Sequence, residues 1–164
     1  MATKKAPYPQ EVAVSESLKA FGVTYTVRHV GLTEKREGRE KPWQCDQWHV
    51  TLKREGRPLY TTDYFTGLGH RKNHRHVKTT SDLDHNVRFS RPVAPEAGAV
   101  LYSLLSDADC GGDTFSDFCG NMGYDEDSRR AFAIYTACQD TFTALRRFFT
   151  PAELDTLRAN LEDY

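Results

Sequence analysis

The spacing of apolar residues changes at Pro95, and this change restricts the fold more than any other feature of the chain. Before Pro95, apolar and polar residues alternate in three segments, as they do in half-buried β-strands. After Pro95, apolar residues recur at i, i+3, i+4 and i+7, as they do along one face of an α-helix. Strands followed by helices are typical of the α+β class. The sequence therefore predicts an α+β fold, with a small antiparallel β-sheet of about three strands followed by a helical C-terminal half.

The alternating segments cover residues 21–28, 43–54 and 59–66. Glu55 and Gly56 separate the last two, and glycine adopts the positive φ that tight hairpin turns require. Four helices are predicted after Pro95. They begin near residues 96, 114, 127 and 151, and Gly111-Gly112 is expected to break the first of them. Thr150 and Glu153 match the capping-box pattern of a helix N-terminus.

The charges of the chain are divided between its two parts. Residues 1–92 contain 17 Lys/Arg against 10 Asp/Glu, while residues 93–164 contain 5 against 13. A length of 164 residues suits one domain, so we expect a single domain, 1–164, with a basic sheet-containing part and an acidic helical part. The two parts either present surfaces for different partners or attract each other on folding, and the sequence leaves both readings open.

The hydropathy pattern predicts a soluble cytoplasmic protein. No apolar run approaches 18 residues, and no signal-peptide pattern is present, so we expect no contact with membranes. Thiols stay reduced in the cytoplasm. The four cysteines (Cys45, Cys110, Cys119 and Cys138) are therefore predicted to be free.

The segment 67–92 has little apolar content and is predicted to form a long exposed loop. Its glycines allow a close backbone approach, its cations can neutralise phosphates, and its histidine can donate a hydrogen bond or stack. The candidate binding residues are Gly67, Gly69, His70, Arg71, Lys72, Arg75 and Lys78. They predict contact with nucleic acid or with an acidic protein. A solvated basic loop without a ligand is the plain alternative.

Metal and cofactor chemistry find little support in the sequence. The spacing of His70, His74 and His76 matches no established zinc site. The acids of residues 107–127 lack the order of an EF-hand, and helix termini explain them better. No motif for nucleotide binding, metalloprotease or nucleophilic catalysis is present. We therefore expect no cofactor, no metal and no enzymatic activity.

Three segments carry a resemblance to a known group of proteins. They read CDQWHVTL (45–52), YFTGLGHR (64–71) and FCGNMGYDEDSRR (118–130). In these segments the chain resembles a family of small phage and prophage proteins, while residues 73–91 depart from it. The resemblance implies an accessory protein that occupies a surface of host machinery, as inhibitors of CRISPR effector complexes do.

The resulting hypothesis is a non-enzymatic, anti-CRISPR-like phage protein that binds and inhibits a host protein or protein–nucleic acid complex. Asp125 and Asp127 are the acidic residues expected to face a basic partner. The alternative is a nucleic-acid-binding protein that uses the basic segment 67–78. An enzyme of an unfamiliar kind is the third reading.

Overall fold

The computed structural model describes residues 8–36, 41–72, 87 and 90–164. Helix α1 (Pro9–Ala20) precedes a three-stranded sheet. The strands, in the spatial order β1-β2-β3, are β1 (Thr24–Lys35), β2 (Trp43–Lys53) and β3 (Tyr60–Gly67). A single 3-10 turn then leads into a short strand, β4 (Arg71–Lys72), which pairs antiparallel with β5 (Arg91–Pro92).

Four helices complete the fold. They are α2 (Ala97–Gly112), α3 (Phe115–Met122), α4 (Arg129–Phe148) and α5 (Pro151–Asn160). The prediction of an α+β protein with a three-stranded antiparallel sheet and a helical C-terminal half is confirmed. No helix among the described residues is both long enough and apolar enough to cross a membrane.

The chain divides into two compact units, and neither is continuous in sequence. The helical unit comprises Met1–Thr24, Lys53–Tyr60 and Glu96–Tyr164. The sheet unit comprises Tyr25–Leu52 and Thr61–Pro95. This division differs from the division of charge at residue 92, because the N-terminal helix and the β2–β3 turn both belong to the helical unit.

The predicted turns and caps agree with the structure. Gly56 in the β2–β3 turn and Gly123 after α3 both have positive φ. Thr150 and Glu153 form the reciprocal capping box of α5, with each side chain bonded to the backbone of the other residue. Thr114 and Ser128 cap α3 and α4 in the same manner, by accepting from backbone N–H groups. Short polar side chains at these positions satisfy N–H groups that have no partner within the helix.

Helix α1 is the element that the sequence pattern did not predict. Its buried residues Val14 and Leu18 are four apart and lie on one face. The carboxylate of Glu11, only 5% exposed, accepts a hydrogen bond from the Gly98 N–H of α2 at 2.8 Å and another from the Tyr164 hydroxyl at 2.6 Å. Glu11 thus caps α2 from a distant part of the sequence.

The helix break expected at Gly111-Gly112 occurs there: α2 includes both glycines and ends at Gly112, and α3 begins at Phe115. A Cβ on Gly111 would overlap the backbone carbonyl of Cys138 in α4. Glycine in a helix interior costs about 1 kcal/mol relative to alanine. Here its small size permits α2 and α4 to pack with their backbones in contact, which explains a helical glycine that sequence propensity disfavours.

Strand β1 starts later and extends further than the predicted segment 21–28. Helix α1 ends at Ala20, and Gly22 has a φ of 74°, so the chain turns before the strand can begin. The alternation of exposed and partly buried residues then continues as far as Lys35. The charged residues near 34 and 35 obscured this continuation in the sequence.

Candidate functional site

The glycines of the predicted basic site do not have the conformation that would require glycine. Among the described residues, the positive-φ glycines are Gly22, Gly31, Gly56 and Gly123. Gly67 ends β3 and Gly69 lies in the 3-10 turn, and a Cβ built at either position meets no atom of the described residues within 4 Å. Neither position has a backbone conformation that requires glycine.

The charged residues of segment 67–78 differ in their exposure to solvent. His70 and Lys72 are exposed, whereas Arg71 is only 8% exposed. Arg75 and Lys78 lie outside the described residues. Residues 71–72 and 91–92 pair as the β4–β5 ladder, so both ends of the segment 67–92 are strands and not parts of one exposed loop.

The Arg71 side chain is bound within the protein on all three of its nitrogen atoms. Its Nε and Nη2 donate to the two carboxylate oxygens of Asp46 at 2.9 and 2.8 Å. Its Nη1 donates to the Ser90 carbonyl at 3.0 Å. Asp46 is 1% exposed, so this is a buried bidentate ion pair. A guanidinium bound in this way is not available to grip a phosphate.

The Asp46 carboxylate also contacts His29. The His29 Nε2 lies 2.8 Å from Asp46 Oδ1, and its ring centroid lies 4.8 Å from that of Trp48. Trp48 in turn donates its indole N–H to Thr66 Oγ1 at 2.9 Å. We refer to His29, Asp46, Arg71 and Ser90 as the Asp46 network.

The contacts of Asp46 and Trp48 link two of the segments that carry the resemblance. Asp46 and Trp48 belong to the segment 45–52, and Thr66 and Arg71 belong to the segment 64–71. Both carboxylate oxygens of Asp46 accept from Arg71 and the residue is 1% exposed, so the carboxylate is not open to a substrate from solvent. Together with the register Arg71↔Pro92 and Lys72↔Arg91, it fixes the two ends of the segment between β4 and β5.

Sequence reasoning missed Asp46 and His29, although one signal was present. Asp46 occupies the same face of β2 as Trp48, Val50 and Leu52, and all four are buried. A carboxylate on the apolar face of a strand needs a cation or several donors, because burial of an unpaired charge is costly. That position alone predicts a buried ion pair, but it does not identify the cation.

The acids predicted to face a partner lie in the helical unit beside a group of aromatic residues. Asp125 and Asp127 are exposed in the connection between α3 and α4. Between them, Glu126 accepts a hydrogen bond from the Ser116 hydroxyl at 2.7 Å. This contact places the acidic connection against the first turn of α3, which also carries Asp117.

The aromatic group extends from the core to the surface of the helical unit. Phe118 and Tyr135 are buried, with ring centroids 5.4 Å apart. Phe115 packs on Tyr135 at 5.4 Å and on Phe132 at 5.5 Å, in an edge-to-face arrangement with Phe132. Phe132 is nevertheless 58% exposed. A phenylalanine whose ring packs on other aromatic rings and is still open to solvent is suited to enter a pocket on a partner.

We refer to this region as the acidic aromatic surface. It consists of Phe115, Phe132, Asp113, Asp117, Asp125, Glu126 and Asp127. The contact of the Tyr135 hydroxyl with the Asp113 carbonyl, at 2.6 Å, joins the end of α2 to the same group. The neighbouring Arg129 and Arg130 offset two of its five negative charges, so the region keeps a net negative charge.

The acids of this region affect a buried thiol beneath them. Burial raises the pKa of Cys119, and the charges of Glu126 and Asp125 raise it further. All four cysteines are free. Burial also raises the pKa of Cys138 to about 11, with contributions from Asp107 and Cys110.

These pKa directions predict slow thiol chemistry in the folded protein. At pH 8 only about one Cys138 side chain in a thousand is a thiolate, and alkylation needs the thiolate. We expect iodoacetamide to modify the partly buried Cys110 first, and to reach Cys45, Cys119 and Cys138 only after unfolding. Intact mass measured over time, with and without urea, checks this order. Rapid addition of four groups to the native protein would contradict it.

One cleft of the helical unit lies among α2, α4 and α5 and has a volume of about 130 Å³. Its floor includes Ala108, Leu145 and Phe149, and Arg158 at its margin is paired with Asp109 at 2.9 Å. Pockets for small ligands are usually several hundred Å³. The cleft is small by that measure.

Metal ligands do not converge in the described part of the chain. Within residues 8–36, 41–72, 87 and 90–164, no three His, Cys, Asp or Glu side chains are grouped so that they could hold a metal ion. His74 and His76 lie outside these residues.

The comparisons with known proteins found no relative. No protein-family model matches the chain, and neither a curated protein nor a solved structure is similar to it.

Proposed function

We propose that this protein is a non-enzymatic binding protein whose acidic aromatic surface docks on a basic surface of a host protein. The observation that supports the proposal is the exposure of Phe132 in a packed aromatic group, next to the acidic connection between α3 and α4. Protein interfaces commonly have aromatic anchors at the centre and charged residues at the rim. The net negative charge of the rim favours a positively charged partner.

The partner that best fits this chemistry is a protein that otherwise holds nucleic acid. Such proteins present rows of Lys and Arg to phosphates, and an acidic surface competes for those same side chains. On the resemblance to small phage proteins, we propose an accessory protein that inhibits a nucleic-acid-processing complex in the cytoplasm of the host, as anti-CRISPR proteins do.

Nucleic-acid binding through the basic segment is the alternative, and one observation weighs against it. Arg71, one of its four cations, is bound to Asp46, so it contributes no phosphate contact. Exposed His70 and Lys72 remain for that role in the described part of the segment. For the third hypothesis, an uncharacterised enzyme, we identify no group of catalytic side chains among the described residues.

Phe132→Ala should weaken the interaction with the host partner by about thirtyfold or more, as is usual for the loss of an aromatic anchor. Leu59→Ala is the matched control, since Leu59 is 59% exposed in the β2–β3 turn, outside the acidic aromatic surface. The partner is first recovered by affinity capture from a bacterial lysate treated with nuclease. Its affinity for each variant is then measured by surface plasmon resonance.

Two outcomes would contradict the proposal. One is equal binding of the partner by the wild type and Phe132→Ala. The other is tight binding of labelled DNA or RNA by the isolated protein, with affinity falling steeply as salt rises, which would favour the basic segment as the functional site.

A further inference from the structure

Strand β1 forms an edge of the three-stranded sheet. Its neighbour on one side is β2, and no strand of the described residues pairs with its other side. A strand in this position presents a row of unpaired N–H and C=O groups that can pair with another strand. β1 has 12 residues, which is long for an edge strand.

Between Arg28 and Glu34, β1 carries no proline, Lys, Arg, Asp or Glu, the residues that commonly protect an edge from pairing. It contains no proline, and its central residues are Val30, Gly31 and Leu32. Val30 is 47% exposed and Leu32 is 48% exposed. β3, the other edge, is shorter, with eight residues, and carries Asp63 on its exposed face. Of the two edges, β1 is therefore the one suited to receive a further strand.

The sequence of β1 is complementary to itself when it is read in the opposite direction. If two copies of β1 lie antiparallel with Gly31 opposite Gly31, then Arg28 lies opposite Glu34 of the second copy. In the same register Val30 lies opposite Leu32 of the second copy. All four of these side chains are exposed at alternate positions along the strand. Opposite charges and paired aliphatic side chains are the cross-strand contacts that stabilise antiparallel sheets.

We infer that β1 is a homodimer interface, in which the β1 strands of two copies pair antiparallel about a twofold axis at Gly31. The symmetry provides each contact twice, so two Arg28–Glu34 pairs flank two Val30–Leu32 pairs. Gly31 has a φ of 147° and carries no side chain, which is typical of a strand position where another backbone approaches closely. The pairing joins two three-stranded sheets into one of six strands.

The charges select this register among the neighbouring ones. A shift of two residues in one direction places Arg28 opposite Leu32 of the second copy. The same shift in the other direction places Glu34 opposite Val30. In both cases the ion pairs are lost and a charge faces an aliphatic side chain. This inference concerns the sheet unit and does not rest on the proposed function, which uses the helical unit.

A charge-reversal experiment tests the pairing. Arg28→Glu places two acids opposite each other, and Glu34→Arg places two cations opposite each other. Each single change should weaken dimerisation by about tenfold or more. The double variant Arg28→Glu/Glu34→Arg exchanges the two charges and should restore the dimer. Sedimentation velocity over a range of protein concentrations measures all four proteins, and circular dichroism verifies that each one is folded.

Three results would overturn the inference. The first is a wild-type protein that stays monomeric at about 100 µM, a concentration at which even weak dimers form. The second is a dimer that is indifferent to both single charge reversals. The third is a double variant that dimerises no better than the single ones, because it would show that the two residues do not face each other.

Discussion

Replacing Asp46 by alanine should lower the free energy of unfolding of the sheet unit by about 3–5 kcal/mol, because the change leaves the Arg71 guanidinium buried without its counter-charge. The pair is bidentate, with distances of 2.9 and 2.8 Å, and Asp46 is 1% exposed. Water cannot take the place of the carboxylate without opening the structure around it. The variant also removes the partner of His29 Nε2.

Tryptophan fluorescence during urea denaturation measures this loss, since Trp43 and Trp48 both belong to the sheet unit. The matched control is Asp63→Ala, whose side chain is 49% exposed and lies 3.3 Å from His49. We expect that control to change the stability by at most about 0.5 kcal/mol. The double variant Asp46→Ala/Arg71→Met should be more stable than Asp46→Ala, because no buried charge remains unpaired. Equal losses for Asp46→Ala and Asp63→Ala would refute the argument.

Arg54→Met should destabilise the helical unit by about 3 kcal/mol, since it breaks a largely buried ion pair. Arg54 Nη1 donates to both carboxylate oxygens of Glu153, at 2.8 and 3.0 Å, and to the Phe148 carbonyl at 3.2 Å. These contacts join the β2–β3 turn to the junction of α4 and α5. Helical circular dichroism is the appropriate measurement, because α1 to α5 all belong to this unit.

The same variant should alter the dependence of stability on pH. Burial raises the pKa of Glu153, but the hydrogen bonds from Arg54 and Thr150 and the charge of Arg54 outweigh it and lower the pKa below its ordinary value of 4.5. A carboxyl with a lowered pKa in the folded state stabilises the protein above pH 4.5, and this stabilisation is lost as the pH falls through the lowered value. The wild type should therefore lose more stability than Arg54→Met between pH 5 and about pH 3.

Arg57→Met is the control for both effects. Arg57 lies in the same turn, is exposed, and donates a hydrogen bond to the Arg147 carbonyl at 3.2 Å. It should leave both the stability at pH 7 and the pH dependence nearly unchanged. If Arg54→Met showed the same decline with acid as the wild type, Glu153 would not be the group responsible.

Local rules of chain geometry predicted most of the elements. Period-two alternation found the three strands, and the capping residues Thr150 and Glu153 placed the start of α5 correctly. Helix α1 was missed because its stability depends on partners that are far away in sequence, such as Gly98 and Tyr164. The packing role of Gly111 was missed for a related reason, since it depends on the backbone of α4.

The candidate sites show the same limit more clearly. Composition marked residues 67–78 as basic, but only the fold shows that Arg71 is directed to Asp46, which lies 25 residues earlier. The sequence analysis identified Asp125 and Asp127 but not the aromatic residues near them. The spacing of residues along the chain does not indicate that Phe132 packs on Phe115. Burial and pairing across the sequence are properties of the tertiary structure, and single-sequence patterns do not contain them.

The contacts of α1 also bear on how the chain folds during its synthesis. Asn160 Nδ2 donates to the Ser17 hydroxyl at 2.7 Å, and Tyr164 reaches Glu11 across 153 positions of sequence. Chains are made from the N-terminus, at about 5–20 residues per second. The packing of helix α1 can therefore be complete only after residues 160–164 have left the ribosome.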